Sequence, residues 1–267
     1  MLNSKAELKP EVVIIGSGNV ATHIALHLDG QADIKQIYSR AYSNAKTLAS
    51  LLTCCKPECV DDLSGLYTNA DIYIVAVKDD VIPEIGNKLP RLERGITVHT
   101  SGSAPDDALG VNGNRCGVLY PLQTFSKQKN VDWSQITVFT YSSDADALAL
   151  INKVANMLSD KVKVIDGNLR SRLHIAAVFA CNFANYMWIK SERILNECGC
   201  TLNDFSPLLQ ETLEKALEQG AEKSQTGPAR RGDRKIIDKH TGMLHDKEDT
   251  ELYRSLSNGI MRHFGLI

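Results

Sequence analysis

Two glycines one residue apart, in Gly16-Ser17-Gly18-Asn19-Val20-Ala21, directly follow the apolar run Val12–Ile15 and open an apolar helical pattern. Glycine holds positive φ and lets the main chain approach a ligand with no Cβ in the way. Gly16 would turn the chain out of a strand, and Gly18 would let a diphosphate lie on the backbone. A helix starting near Asn19 and Val20 would aim its free amides and positive dipole end at that group. Ala21 fills the third position of this dinucleotide-binding fingerprint, where a small residue allows close helix–strand packing. The bland alternative is a plain strand–helix turn.

About twenty positions further on, such a site usually carries an acid that binds the ribose 2′-hydroxyl. Here the run Ile34–Arg40 ends in Ser39-Arg40 with no carboxylate. A guanidinium and a hydroxyl suit a 2′-phosphate, so the expected cofactor is NADP(H) rather than NAD(H). The alternative is a solvent-facing arginine at a strand end.

Four further groups could act on a substrate. Thr100 and Ser101 follow a β-type run, where hydride delivery to a C=N or C=O bond creates demand for a donor at the heteroatom. A turn of small polar residues would look the same. Gln123 and Thr124 come just after Tyr120-Pro121 and fit either a substrate pocket or loop hydrogen bonding. His174 and Asn182 sit two turns apart in an apolar stretch, within roughly 80° of each other on a regular helix. Polar groups there need partners or a wet cavity. His174 is read as a general acid or as a satisfied core histidine. Arg230 and Arg231, inside Gly227–Asp233, could grip a carboxylate or simply flank a turn capped by Asp233.

These residues need elements to hold them. Short β-type runs at 12–15, 34–39, 72–77, 96–100, 118–120, 136–140 and 162–165 alternate with helical patterns at 41–52 and 80–89. That texture predicts an α/β fold, a Rossmann-like doubly wound and mostly parallel sheet. Beyond Asp166-Gly167 no β-rich run recurs. One long helix is expected over 168–198, then helices over 202–220, 233–245 and 247–264. The expected domains are 1–166, binding the nucleotide, and 167–267, an all-helical substrate or dimerisation domain.

The chain has 267 residues, 43% hydrophobic and 23% charged, with a formal net charge of -2. Neither a nucleic-acid partner nor an anionic membrane is suggested. No apolar run reaches the roughly 20 residues of a membrane helix, and the polar N-terminus lacks a signal core, so a cytoplasmic location is expected. The cysteines form no CxxC pair and are read as reduced packing residues. His23 and His27, four apart on a helix, have no third ligand nearby. They are read as polar-face histidines, and no metal is expected.

Across Gly16–Ala21, Tyr38–Arg40, Ala76–Asp80, Val98–Gly102, Tyr120–Ser126, Leu173–Asn185 and Thr226–Asp233, the chain resembles a family of predicted NADP oxidoreductases. These combine a Rossmann-like domain with a helical C-terminal domain of unknown function. They are related to pyrroline-5-carboxylate reductase and to 6-phosphogluconate dehydrogenase-like proteins. The resemblance implies that Ala76, Val77 and Lys78 run along the ribose and nicotinamide side of the cofactor. It also implies a homodimer, and a small imine or keto-acid-type substrate bound between the domains. The competing expectation is a non-catalytic NADP(H)-binding sensor or partner-binding protein.

Overall fold

The computed structural model of the protein describes residues 8–267. Eight strands form one sheet: β1 (Glu11–Ile15), β2 (Asp33–Tyr38), β3 (Glu58–Val60), β4 (Ile72–Val75), β5 (Ile96–His99), β6 (Cys116–Pro121), β7 (Val138–Tyr141) and β8 (Val162–Val164). Their order is β3-β2-β1-β4-β5-β6-β7-β8, and all neighbours run parallel except β6 and β7. The strand order reverses between β1 and β4. In a doubly wound sheet that reversal opens a crevice beyond the strands' carboxyl ends, where ligands bind.

Period-two alternation explains why β1 and β4 read as unbroken apolar runs. Val12, Ile14, Ile72 and Ile74 feed one core cluster, with α1 (Asn19–Leu28) and α4 (Ala145–Leu158). Val13, Ile15, Tyr73 and Val75 point the other way into a second cluster with α3 (Ile82–Lys88). Each such side chain contributes about 1.5–3 kcal/mol by leaving water. Alongside lies α2 (Tyr42–Ala49), a shorter helix than the 41–52 pattern suggests. Two elements lie outside the sequence-based expectations. Strand β3 spans three residues, too short for a periodic signal, and α4 lies in a stretch where only strands are expected. Val81 precedes α3 and makes no side-chain cap.

The chain divides into two compact units, one ending at Phe179 and one running from Ala180 to Ile267. Helix α5 (Gly167–Ala177) belongs to the first, although the loss of β texture begins at Asp166. The reason is Arg170. Its guanidinium is 1% exposed and donates to the Asp106 carboxylate and the Ala104 carbonyl, both in the loop after β5. Where the sequence suggests one helix over 168–198, Val178–Phe183 winds as a π-turn before α6 (Ala184–Glu197). The second unit continues with α7 (Ser206–Gln219), α8 (Ala221–Ser224), α9 (Arg234–Met243) and α10 (Lys247–His263).

Candidate functional site

Gly16 and Gly18 differ in why they are glycines. Gly16 has φ +125°, and a Cβ there would collide with the Ala76 carbonyl at the end of β4. Only glycine fits that turn. Its amide donates to Tyr38 O at 2.8 Å, while the Ala76 amide donates to Ile15 O at 2.8 Å, so the turn is tied to β2 and β4 together. Gly18, by contrast, has φ -76°, which any residue can adopt. A Cβ on it would meet no atom within 4 Å. The free space lies over the start of α1, where no side chain caps the helix and no acid occupies the first turn. Exposed amides without a competing carboxylate make an anion site.

Around this turn runs a cleft of about 400 Å³ lined by Gly16, Ser17, Gly18, Asn19, Val20, Tyr38, Ser39, Arg40, Ala41, Asn44, Ala76, Val77, Lys78, Val81 and Ile85. Every residue expected to bind the cofactor is in that lining. It contains two cations, Arg40 and Lys78, and no carboxylate. Ser39 is buried, and its hydroxyl lies 2.9 Å from that of Ser17, joining the end of β2 to the glycine turn. Asn19 turns its side chain away, donating to Phe125 O at 2.9 Å.

The histidines of α1 hold the loop after β6. His23 is only 6% exposed, so it is no polar-face residue. Its Nε2 lies 2.8 Å from Ser126 O, its ring packs on Phe125 and the His27 ring packs on Trp133. Both rings serve loop packing. In the same loop Gln123 and Thr124 are exposed. The Gln123 carbonyl oxygen accepts from the Thr124 amide at 2.8 Å and from its hydroxyl at 3.3 Å.

Beyond β5 the polar residues divide their work. Ser101 is buried, and its Oγ accepts from the amides of Ser103 (3.0 Å) and Ala104 (2.9 Å), which fixes the turn. The Ser101 amide donates to His99 Nδ1 at 3.3 Å, and His99 Nε2 lies 2.9 Å from Pro105 O. A carbonyl can only accept, so Nε2 carries the hydrogen and Nδ1 is free to receive the amide. Burial, then the Arg170 charge, push the His99 pKa down to about 4. Thr100 stays half-buried, its amide held by Val75 O and its hydroxyl without a hydrogen bond among the described residues.

His174, on α5, lies beside this turn. Tyr120 Oη is 3.1 Å from its Nδ1, and Gly102 backs directly onto its ring. The structure therefore brings His174, Thr100, Ser101 and Gly102 to neighbouring strand ends. Asn182, Arg230 and Arg231 belong to the second unit. Asn182 is exposed and lies in the π-turn, which breaks the regular phase that would align it with His174. Arg230 sits 4.0 Å above the Phe264 ring, and Arg231 is exposed beside Gly232 (φ +69°), with Asp233 capping α9 as expected. Sequence reasoning gave no role to Tyr120, His99, Asp106 or Arg170. No local signal separates Arg170 from its neighbour Arg172, since both lie in the same polar-rich run of α5.

A candidate NADP oxidoreductase of Bacteroides fragilis, BF3122, superposes with a TM-score of 0.88 at 35% identity, over 95% of this chain and 98% of that one. A family profile for a domain of unknown function (DUF2520) matches residues 137–260. The chain belongs to the NADP oxidoreductase family with a Rossmann-like N-terminal domain and a helical C-terminal domain of unknown function. Protein TM1727 of Thermotoga maritima shares this family's fold (TM-score 0.67, 23% identity, 95% of this chain and 98% of that one). So does an imine reductase of Myxococcus stipitatus in complex with NADP+ (TM-score 0.65, 13% identity, 95% and 92%). None of the curated proteins matches the sequence.

Proposed function

We propose that this member of the family is an NADP(H)-dependent oxidoreductase acting on a small imine or keto-acid-type substrate. The carrying observation is the cleft at the β1–β4 reversal, with its open glycine turn, two cations and no carboxylate. The residues present fit a phosphorylated dinucleotide: an amide-lined turn with room for a diphosphate, and Ser39 with Arg40 for a 2′-phosphate. When bound, the nicotinamide supplies or accepts the hydride.

The chain's own residues then have separable duties. Gly16 to Val20 seat the diphosphate, and Ala76, Val77 and Lys78 line the path toward the nicotinamide. Thr100 and His174 are the donors available to the substrate heteroatom as it gains charge. Gln123, Thr124, Arg230 and Arg231 are assigned to substrate contact and Asn182 to the catalytic set; Gln123 and Thr124 also hydrogen-bond each other, and Arg230 stacks on Phe264. The substrate class rests on kinship to the family and on a fold shared with an imine reductase.

The same reading includes a homodimer formed through the second unit, supported by exposed leucines there such as Leu208, Leu213 and Leu217. It also includes a cytoplasmic location, which suits seven free cysteines.

Calorimetry with NADPH and NADH tests the cofactor assignment. Wild-type protein should prefer NADPH, and Arg40→Ala should weaken NADPH by roughly 10- to 100-fold, as for a lost charged hydrogen bond, with little change for NADH. An unchanged ratio removes Arg40 from the 2′-phosphate. Failure of both nucleotides to bind removes the whole reading.

A further inference from the structure

Tyr120, next to last in β6, has its ring locked and its hydroxyl committed. The residue is 8% exposed, and its ring stacks on Phe139 at 6.3 Å with Leu173 packed alongside. Its Oη lies 3.1 Å from His174 Nδ1, with the two rings edge-on at 70°. Gly102 also backs onto the imidazole, where a Cβ would come 2.5 Å from Nδ1. The ring therefore occupies space that any other residue at 102 would claim. Groups from the ends of β5 and β6 hold it in place.

Counting hydrogens settles the direction of the Tyr120–His174 bond. A buried phenol must give its hydrogen to an acceptor, or lose the free energy of an unmade bond. Among the described residues, His174 Nδ1 is the hydrogen-bond partner that Tyr120 Oη has. Were Nδ1 itself protonated, it would donate to Oη and leave the phenol hydrogen with no acceptor. With Nδ1 bare, the phenol donates and both groups are satisfied. Burial, helped by the Asp79 carboxylate, raises the Tyr120 pKa, so the phenol keeps the hydrogen it donates.

We propose that Tyr120 is a positioning residue that fixes His174 as the Nε2–H tautomer. The nitrogen away from the phenol is then the one that can donate to a substrate heteroatom. This rests on the reading of His174 as a donor, and it specifies which atom does the donating.

The test is the tautomer itself, read by long-range proton–nitrogen correlation of the histidine rings in uniformly labelled protein at mildly alkaline pH. His174→Gln assigns the signal. Wild-type His174 should show the Nε2–H pattern, and Tyr120→Phe should convert it to a mixture or to Nδ1–H, with NADPH affinity unchanged. An Nδ1–H pattern in the wild type, or an unaltered Nε2–H pattern in Tyr120→Phe, overturns the proposal. No substrate is needed, so a failed search for imine or keto-acid turnover would count against the proposed reaction and leave the tautomer assignment standing. On any substrate that is turned over, Tyr120→Phe should lower kcat roughly tenfold with KM for NADPH unmoved, the loss expected for one hydrogen bond. A drop in NADPH affinity with no change in tautomer would mark Tyr120 as merely structural.

Discussion

The two units of this chain bury apolar side chains in very different measure. In the first, whole strands vanish from solvent: Val12 to Ile15 and Ile72 to Val75 are each 0% exposed. In the second, the buried apolar side chains among the described residues are Leu195, Ala229, Ile237 and Met261, while Leu208, Leu213, Leu217 and Met243 are 58%, 61%, 77% and 65% exposed. At about 1.5–3 kcal/mol for each of the three larger ones and less for Ala229, these four cannot offset the ordering of so many residues. The first unit carries its stability internally. The second has apolar surface to spare, which is how half of an interface looks before its partner is added.

The sharpest way to break that contrast is to cut the clamp that binds α5 into the first unit. Arg170→Ala leaves the Asp106 carboxylate without its cation and opens the site that a fully buried guanidinium fills. The expected loss is about 3–5 kcal/mol in denaturant unfolding, the same at every protein concentration. A loss below about 1 kcal/mol would mean that the clamp is incidental.

In the second unit the dependence on concentration should reverse. Leu213 and Leu217 lie four apart on α7 and share an exposed stripe. Changing both to Arg in a monomer would alter stability by no more than about 0.5 kcal/mol. In the proposed homodimer it should remove ~2 kcal/mol or more of association free energy and shift sedimentation toward the monomer. The thermal midpoint of the wild type should also rise with protein concentration. A wild-type chain that sediments as a monomer at all concentrations would leave the second unit's surface unexplained by self-association.

The same contrast governs what could be read from residues alone. Strands β1 and β4, and the glycine turn between β1 and α1, are legible because local pattern and tertiary environment agree there. Arg40 and Ala76 to Lys78 lie far apart in sequence, yet the strand-order rule gathers them at one crevice with the turn. What stayed hidden depends on partners distant in the chain. Arg170 meets Asp106, His174 meets Tyr120, and His23 meets Ser126, each through tertiary packing that no local period announces. Tyr186 and Trp188, both exposed, show a second limit: an apolar residue in a helix suits a core and an interface equally, and its type alone does not separate them.

The smallest expected effect concerns His99, deep in the first unit. Its folded pKa, about 4, lies below the value of 6.5 it would have in the unfolded chain. Between those values the unfolded chain holds a proton that the folded protein refuses. Stability from this residue is thus complete above about pH 6.5 and is lost progressively as pH falls toward 4. From pH 7 to pH 5.5 the loss should be about 1 kcal/mol, since one pKa unit is worth about 1.4 kcal/mol. His99→Gln, which keeps an amide within reach of Pro105 O but cannot titrate, should flatten that part of the pH profile relative to wild type. Identical slopes for the two proteins would show that the imidazole is solvated after all. In that case the loop bearing Thr100 and Gly102 would be looser than its hydrogen bonds imply, and the donors expected to face the substrate would lose their rigid support.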